Sequence, residues 1–277
     1  MVGLLVAGSG CPVPRAHEAL PPQPWKQPGT QAGQEISGPD GGKMVWVPAG
    51  TFTMGTNEGG EYFSDAVPAH QVRLTRGFWL GRCEVTWGQW QRYRQEAGVR
   101  SGPGSGGPTL GPDYPAWHIS WAAAAAYCQH FGLSLPTEAQ WEYAAAGPEG
   151  RKYPWGDEWD PQKCANRNNP GPRNLLWPVG SFPQGASWCG ALDMAGNVTE
   201  WCQDWYDPKY YARSPTNDPP GSDSGKNGAR VLRGASCYDV DPVNFRCVYR
   251  SSRLDLGPFR APQDRYAYYG FRCACLP

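Results

Sequence analysis

Hydrophobic and polar residues alternate in two early stretches of the chain, and this pattern predicts short strands. In KMVWVPAGTFTMG, Val45 and Val47 flank Trp46 as in a half-buried strand, and Pro-Ala-Gly predicts a turn into a second strand. HQVRLTRGFWLGRCEVT continues the pattern, with Val72 and Leu74 on one face. A folded domain is therefore expected to begin near residue 43.

Three helices are predicted next. They cover TWGQWQRYRQEAG (residues 86–98), SWAAAAAYCQHFG (120–132) and TEAQWEYAAAG (137–147). The first and third open with Thr followed three residues later by Gln, the signature of a capping box, and each of the three ends at a glycine. The alanine run of the second helix allows close approach to a sheet.

Helical periodicity is absent from residue 148 onward. Gly, Pro, Asn and Trp dominate this half of the chain, which predicts loops and short strands. Long irregular stretches are uncommon in a compact domain and usually indicate functional loops. Segment 233–252, RGASCYDVDPVNFRCVYRSS, is the clearest case because it mixes polar and aromatic residues without a period.

Composition narrows the functional classes. The chain of 277 residues carries 25 basic and 25 acidic residues, and this balance argues against nucleic acid as the main partner. No apolar run approaches the roughly 18 to 20 residues that span a bilayer. With 14 Trp, the core is expected to be built from aromatic rings. Ten cysteines without a CxxC motif favour a disulfide-permissive compartment, with reduced core thiols as the alternative.

The N-terminal 1–42 region is predicted to be a leader and tether. MVGLLVAGSGCPVP resembles the end of a bacterial lipoprotein signal, in which Cys11 would carry lipid after cleavage. An unstructured leader is the alternative. Residues 12–42 are rich in Pro, Gln and Gly with little to bury. The prediction is a domain at 43–277, tethered at a cell surface or in the periplasm, with the membrane involved only through a lipid anchor.

Several stretches appear in an order that resembles one family. They are MVWVPAGTFTMG, PAWHISWAAAAAYCQHFGLSLPTEAQWEYAAAG, YPWGDEWDPQKCAN, PVGSFPQGASWCGALDMAGNVTEWCQDWY, RVLRGAS and YGFRCAC. Together they resemble the formylglycine-generating enzyme (sulfatase-modifying factor) domain, over residues 43–277. The resemblance implies an α+β, C-type lectin-like fold, loop-rich, with small antiparallel sheets and about three helices. That family contains copper oxidases and also noncatalytic variable proteins of diversity-generating retroelements.

An oxidase of this family uses two cysteines, five residues apart, that bind copper after the GGS turn. Soft thiolates suit Cu(I), so the requirement is chemical. Here Cys237 follows Ser236 directly and the next cysteine is Cys247. No pair stands at the oxidase spacing, so we expect no copper and no catalytic residues. A formylglycine-generating oxidase acting on a substrate cysteine remains the second hypothesis, because Cys237 and Cys247 could converge in space.

The favoured hypothesis is a noncatalytic protein that displays a diversified surface on segment 234–272 to an unknown protein or other macromolecular ligand. Its Tyr, Arg, Ser and Asp content resembles an antibody paratope. The residues expected to be displayed are Tyr238, Asp239, Val240, Asp241, Val243, Phe245, Tyr249, Ser251, Ser252, Arg253, Leu254, Asp255, Phe259, Arg260, Arg265, Tyr266, Tyr268 and Tyr269. One alternative is that these aromatics form the core of strands. Another is a structural or assembly protein with a constant partner.

The resemblance also implies backbone, metal and disulfide features. Ala235 replaces the second glycine of the turn, so Gly234 is expected to take any unusual backbone angle alone. LDMAGNVTEW matches a calcium loop, with ligands from the Asp193 and Glu200 carboxylates and the Gly196 and Val198 carbonyls; a loop without an ion is the alternative. The two cysteines at positions that pair in some relatives are Cys128 and Cys273.

Overall fold

The computed structural model describes residues 23–99, 110–254 and 268–277. Its helices are α1 (Trp87–Glu96), α2 (Trp121–His130) and α3 (Glu138–Ala146). Its strands are β1 (Glu35–Ser37), β2 (Lys43–Val47), β3 (Gly50–Met54), β4 (His70–Leu74), β5 (Phe78–Gly81), β6 (Thr199–Trp205), β7 (Ala229–Arg233), β8 (Ser251–Leu254), β9 (Tyr269–Gly270) and β10 (Ala274–Cys275). Short 3₁₀ turns connect them, including Glu61–Phe63 and Pro242–Phe245.

Two four-stranded sheets and a hairpin form the framework. The first sheet has the order β1-β2-β5-β10 and is antiparallel throughout. The second has the order β8-β7-β6-β9, in which β6 and β9 run parallel and the other pairs antiparallel. Strands β3 and β4 pair with each other. The last residues of the chain therefore contribute to both sheets, which brings the C-terminal segment next to the N-terminal strands.

The three helices follow the sequence signals. The predicted capping boxes of α1 and α3 are both formed, because each N-terminal Thr accepts from the backbone N–H three residues on and the Gln there bonds back. Ser120 caps α2 through the N–H of Ala123. No helix in the described ranges is long and apolar enough to span a bilayer.

The predicted tether is wrong from residue 23 onward. Strand β1 pairs with β2 in register, with Ile36 opposite Met44. Asp40 is buried and accepts hydrogen bonds from Tyr127 and from Gln89. The low apolar content of this stretch hid its role, because it contributes backbone hydrogen bonds and one buried carboxylate rather than a hydrophobic face.

The core is aromatic and also contains buried ion pairs. Fully buried rings include Trp79, Trp90, Trp141 and Trp201. In the second sheet, Arg233 at the end of β7 is fully buried and pairs with the carboxylates of α3. Arg233 is the last residue of β7, so its ion pairs with α3 fix the point at which the irregular segment after β7 starts.

Candidate ligand-binding face

The turn that follows β7 has two consecutive residues with positive φ. Gly234 has φ 94° and Ala235 has φ 57°, so the expectation that Gly234 alone would take the unusual angle is wrong. A left-handed conformation costs a non-glycine residue roughly 1–2 kcal/mol. The next residue offsets part of this cost, since the N–H and Oγ of Ser236 both donate to Asp239 Oδ2 at 2.8 Å.

Polar side chains fold the following loop onto itself. Asp241 caps the 3₁₀ turn Pro242–Phe245 by accepting from the N–H of Val243, and Asn244 donates to Asp239 Oδ1 at 3.1 Å. Asp239 and Asp241 were expected as displayed residues, and they are half-buried. Their carboxylates therefore shape the loop as well as bordering its surface.

The described part of the predicted set is mostly half-buried. Val240 is 51% exposed, and Arg253 and Leu254 are exposed on the edge strand β8. Half-buried positions are Tyr238, Asp239, Asp241, Val243, Tyr249, Ser251, Ser252 and Tyr269. We name the set Tyr238, Asp239, Val240, Asp241, Val243 and Tyr249 the C-terminal face. Asp255, Phe259, Arg260, Arg265 and Tyr266 lie outside the described residues, as does Cys11.

Two aromatic residues of the predicted set are not displayed. Phe245 is 1% exposed and packs on the Trp159 ring with centroids 4.9 Å apart. Tyr268 is 7% exposed and stacks on Trp117 at 5.2 Å. Both predictions of exposure are wrong, because these rings fill gaps that irregular loops leave in the core. The sequence does not reveal their burial, since neither residue lies in a stretch with the period of a strand.

An aromatic stack connects the buried and accessible parts of the segment. Tyr238 stacks on Tyr268 with centroids 6.4 Å apart, and the Arg167 guanidinium lies 4.4 Å from the Tyr238 ring centroid. Arg167 also donates its backbone N–H to the carbonyl of Asp239. No signal in the sequence marks Arg167 as a neighbour of this segment, since it lies in an Asn-rich loop far away in the chain.

A second neighbour missed from the sequence is Tyr62. Its side chain is 52% exposed, and its hydroxyl donates to Asp241 Oδ2 at 3.2 Å. Nearby, Glu58 accepts two hydrogen bonds from Arg246, at 2.5 and 2.7 Å. Loop 56–65 therefore borders the C-terminal face. Nothing in the local sequence NEGGEYFSD indicates this contact, because Asp241 lies 179 residues further along the chain than Tyr62.

The two cysteines of the segment are separated in the core. Cys237 is fully buried in a cluster with Trp117, while Cys247 is 1% exposed in the main core cluster with Trp141. Burial raises the pKa of each thiol far above its ordinary value. Copper oxidation needs two thiolates at one place. As placed in this structure, Cys237 and Cys247 lie in separate clusters and do not fit a shared copper centre, and the expected absence of copper stays a prediction.

The predicted calcium loop carries buried carboxylates, but one of them is engaged. Glu200 accepts from Arg272 at both oxygens, each at 2.6 Å, and from Trp141 Nε1 at 2.9 Å. Glu200 is therefore the partner of Arg272 rather than a free calcium ligand. Asp193 accepts from the N–H of Gly180 at 2.6 Å, and burial raises its pKa to about 6.

Glu84 is a third buried carboxylate, near Asp193 and Glu200. Glu84 accepts from the Val198 N–H and from the Asn197 side chain. Burial first, and then the charges of Asp193 and Glu200, raise its pKa well above the ordinary value. Burial and like charge therefore favour the protonated form of Glu84. Among the described residues, no group of three or more His, Cys, Asp or Glu side chains is placed to hold a metal ion, and calcium at Asp193 with the Gly196 and Val198 carbonyls stays a prediction.

Cys128 and Cys273 lie together as thiols. Both are buried, and their Sγ atoms are 3.6 Å apart between α2 and the residue before β10. A disulfide between them stays a prediction, since the structure places both thiols side by side without a bond.

The chain was compared with known families and structures. Residues 31–276 match the model of the sulfatase-modifying factor enzyme 1-like domain. The chain belongs to this family. It is 33% identical to the formylglycine-generating enzyme of Streptomyces coelicolor, over 94% of this chain and 95% of that protein. It is 32% identical to the hercynine oxygenase of Mycobacterium tuberculosis, over 75% of this chain and 54% of that protein.

Solved structures agree on the fold of this sulfatase-modifying factor domain. PvdO from Pseudomonas aeruginosa superimposes with a TM-score of 0.72 at 28% identity, over 90% of this chain and 100% of that one. Treponema denticola variable protein 1 gives a TM-score of 0.66 at 24% identity, over 85% and 95%. The predicted C-type lectin-like fold of the formylglycine-generating-enzyme type is confirmed. Function must be argued from the site.

Proposed function

We propose that the protein is a noncatalytic binding module that recognises a macromolecular ligand through its C-terminal face. One observation carries the proposal: the backbone of the face is held by buried groups that do not belong to the face. Arg233 precedes it, Arg250 follows it, and both pair with Glu138 of α3. Exposed side chains between these two anchors, such as Val240, can therefore change without loss of the fold, whereas the buried ones, such as Phe245, cannot.

The accessible side chains are suited to recognition. Tyr238 and Tyr249 are half-buried, with Tyr238 stacked on Tyr268 and Tyr249 packed on the core, so their rings are already ordered and lose little rotamer entropy on binding. Val240, which lies between them in sequence, is exposed. Asp239 and Asp241 add acceptors that are already positioned by the loop. Rigid anchors of this kind reduce the ordering cost of association.

Diversification of the face is the finer part of the proposal. A surface that tolerates many side chains on a fixed backbone is what a diversity-generating retroelement requires. DNA beside the gene provides the test. We expect a near-repeat of codons 230–272 that differs opposite template adenines, next to a reverse transcriptase. A complete flanking sequence with neither would remove diversification and leave a constant partner as the ligand.

The absence of thiol catalysis is tested separately. Purified protein is titrated with Cu(I) and incubated with a cysteine-containing peptide under oxygen, and formylglycine is measured by mass spectrometry. We expect no aldehyde product and no copper binding that depends on Cys237. Copper bound by the parent and lost in Cys237→Ser, together with aldehyde formation, would contradict the proposal.

The second candidate is a copper oxidase that modifies a substrate cysteine. Identity of 33% to the Streptomyces coelicolor formylglycine-generating enzyme over nearly the whole chain is the observation that favours it. It requires Cys237 and Cys247 to leave separate core clusters and to share one metal. The copper titration above decides between the two candidates.

Location at a cell surface or in the periplasm, through lipid on Cys11, completes the proposal. It rests on the small residues before Cys11 and on the cysteine content. Mass spectrometry of the N-terminal peptide from the native host provides the measurement, and an unmodified Cys11 in the membrane fraction would contradict lipidation.

A further inference from the structure

A pocket of 390 Å³ opens at the edge of the C-terminal face. Its lining includes Glu61, Tyr62, Asp65, Tyr206 and Tyr249. Three elements distant in sequence meet there: the 3₁₀ turn Glu61–Phe63 with the two residues after it, the chain after β6, and the segment before β8. The pocket therefore depends on the tertiary fold, and its walls are tyrosine rings and carboxylates.

The electrostatic environment of this pocket is negative. The pKa of Tyr249 is raised by burial and then by the nearby charges of Asp239 and Asp65. The pKa of Tyr62 is raised by its hydrogen bond to Asp241 and by that residue's charge. Asp65 from loop 56–65, and Asp239 and Asp241 from the C-terminal face, thus raise the pKa values of these two phenols.

The two nearest arginines have carboxylate partners outside the pocket. Arg250 lines the pocket, and its guanidinium is clamped by both oxygens of Glu138. It also donates from Nη1 to the backbone carbonyl of Asp65, so its charge offsets that of Asp65 in part. Arg246 is paired with Glu58 by two hydrogen bonds. With Arg250 paired to Glu138, the carboxylates of Glu61 and Asp65 leave the pocket with a negative charge.

The tyrosine rings add a second attraction for a cation. Tyr206 donates its hydroxyl to Asp65 Oδ2 at 2.7 Å, which fixes both groups, and the Arg250 Cζ lies 5.3 Å from the Tyr206 ring centroid. That face of Tyr206 is therefore occupied by Arg250, and the pocket rings left for an entering cation are those of Tyr62 and Tyr249. A cation between tyrosine rings and carboxylates gains from the ring quadrupoles and from the charges together.

We propose that this pocket receives the ammonium or guanidinium group of a lysine or arginine side chain on the protein ligand. The inference rests on the proposed function and deepens it, because Tyr249 belongs to the C-terminal face and Tyr62 is bonded to Asp241. A basic side chain in the pocket would anchor a partner whose remaining surface covers Val240. The same charges disfavour an anionic ligand.

Small probes test the pocket without knowledge of the partner. The full chain, labelled with ¹⁵N, is titrated with N-acetyl-lysine methylamide, N-acetyl-arginine methylamide and the neutral N-acetyl-norleucine methylamide. We expect the two cations to shift the amide signals of residues 61–65, 206 and 249, and the neutral probe to leave them in place. Binding should weaken at 0.5 M NaCl, since partly exposed charges are screened.

Asp65→Asn removes the charge and keeps an oxygen that accepts from Tyr206. It is expected to weaken cation binding roughly three- to tenfold, the effect of one near-surface charge. Glu149→Gln, at an exposed acid paired with Arg151, is the matched control and should leave binding unchanged. Thermal unfolding of each variant shows that the fold is intact.

Three outcomes would overturn the inference: equal shifts with lysine and norleucine probes, binding that is unchanged in Asp65→Asn, or binding of free spermidine without binding of a lysine displayed on a peptide. The last would assign the pocket to a polyamine. Failure here leaves the copper and peptide-oxidation test untouched, so loss of this inference and loss of the proposed function are separate results.

Discussion

Arg250 clamps Glu138 through two buried hydrogen bonds, from Nε to Oε1 at 2.6 Å and from Nη2 to Oε2 at 2.9 Å. Arg233 reaches the same carboxylate, with Nη1 3.0 Å from Oε1. Burial alone would raise the pKa of Glu138, but the charges of Arg250 and Arg233 hold that pKa below its usual value. One glutamate at the start of α3 therefore ties the residues on both sides of the C-terminal face to the scaffold.

Removal of the Glu138 charge is expected to destabilise the fold strongly. Glu138→Gln leaves two buried guanidinium groups short of one negative charge, at a cost of about 3–5 kcal/mol in the free energy of unfolding. Denaturant unfolding followed by tryptophan fluorescence gives the value. Asp207→Asn, at an exposed pair with Arg213, is the control and should cost below about 1 kcal/mol. Equal effects would show that Glu138 does not anchor the segment.

Neighbouring positions in the segment should differ sharply in their effect on stability. Phe245→Ala is expected to cost about 3–5 kcal/mol, because the ring is buried against Trp159 and its loss leaves a cavity. Val240→Ala should change stability by less than about 0.5 kcal/mol, since the side chain is half exposed. Both are measured by chemical denaturation. Similar costs would mean that no part of the segment is free to vary.

The helices and the irregularity of the C-terminal half could be predicted because their signals are local. Thr137 and Gln140 lie three residues apart and bond to each other, so the sequence is sufficient. Phe245 could not be assigned, because its burial depends on Trp159, in a loop that no period places beside it. Tyr62 and Arg167 were missed for the same reason, as their partners Asp241 and Tyr238 are distant in the chain.

Cys128 and Cys273 are expected to form a disulfide under oxidising conditions. Their sulfurs are 3.6 Å apart, and the bond would close a loop between positions 145 apart. Closing a loop of this length stabilises a fold by roughly 2–5 kcal/mol. Peptide mapping without reductant should recover the linked pair, and the melting temperature should fall on reduction. Cys202→Ser should retain the pair, whereas Cys128→Ser should abolish it. Two free thiols after complete oxidation would contradict the pairing.

Asp193 is expected to make stability fall as pH rises through the acid range. Burial raises its pKa from 3.8 to about 6, so its contribution to stability is complete below pH 4 and is lost as pH rises through 6. Asp193→Asn keeps an acceptor for the Gly180 N–H. In EDTA at pH 7 it should be more stable than the parent by about 1–3 kcal/mol. The difference should shrink toward pH 4, and a difference independent of pH would contradict this assignment.

Calcium should reverse that penalty. A cation beside Asp193 would stabilise the ionised form of that buried carboxylate, while Glu200 stays paired with Arg272. Saturating calcium is expected to raise the melting temperature of the parent, with a gain of about 2.7 kcal/mol at a hundredfold excess over Kd.

The matched variant separates site binding from a general salt effect. Asp193→Asn should lose most of the calcium response, and magnesium at the same concentration should give less, because it demands closer octahedral ligands. Differential scanning fluorimetry in EDTA, calcium and magnesium gives the comparison. An unchanged melting temperature in calcium would show that the loop is held by Arg272 and the hydrogen bonds of Glu84 without an ion.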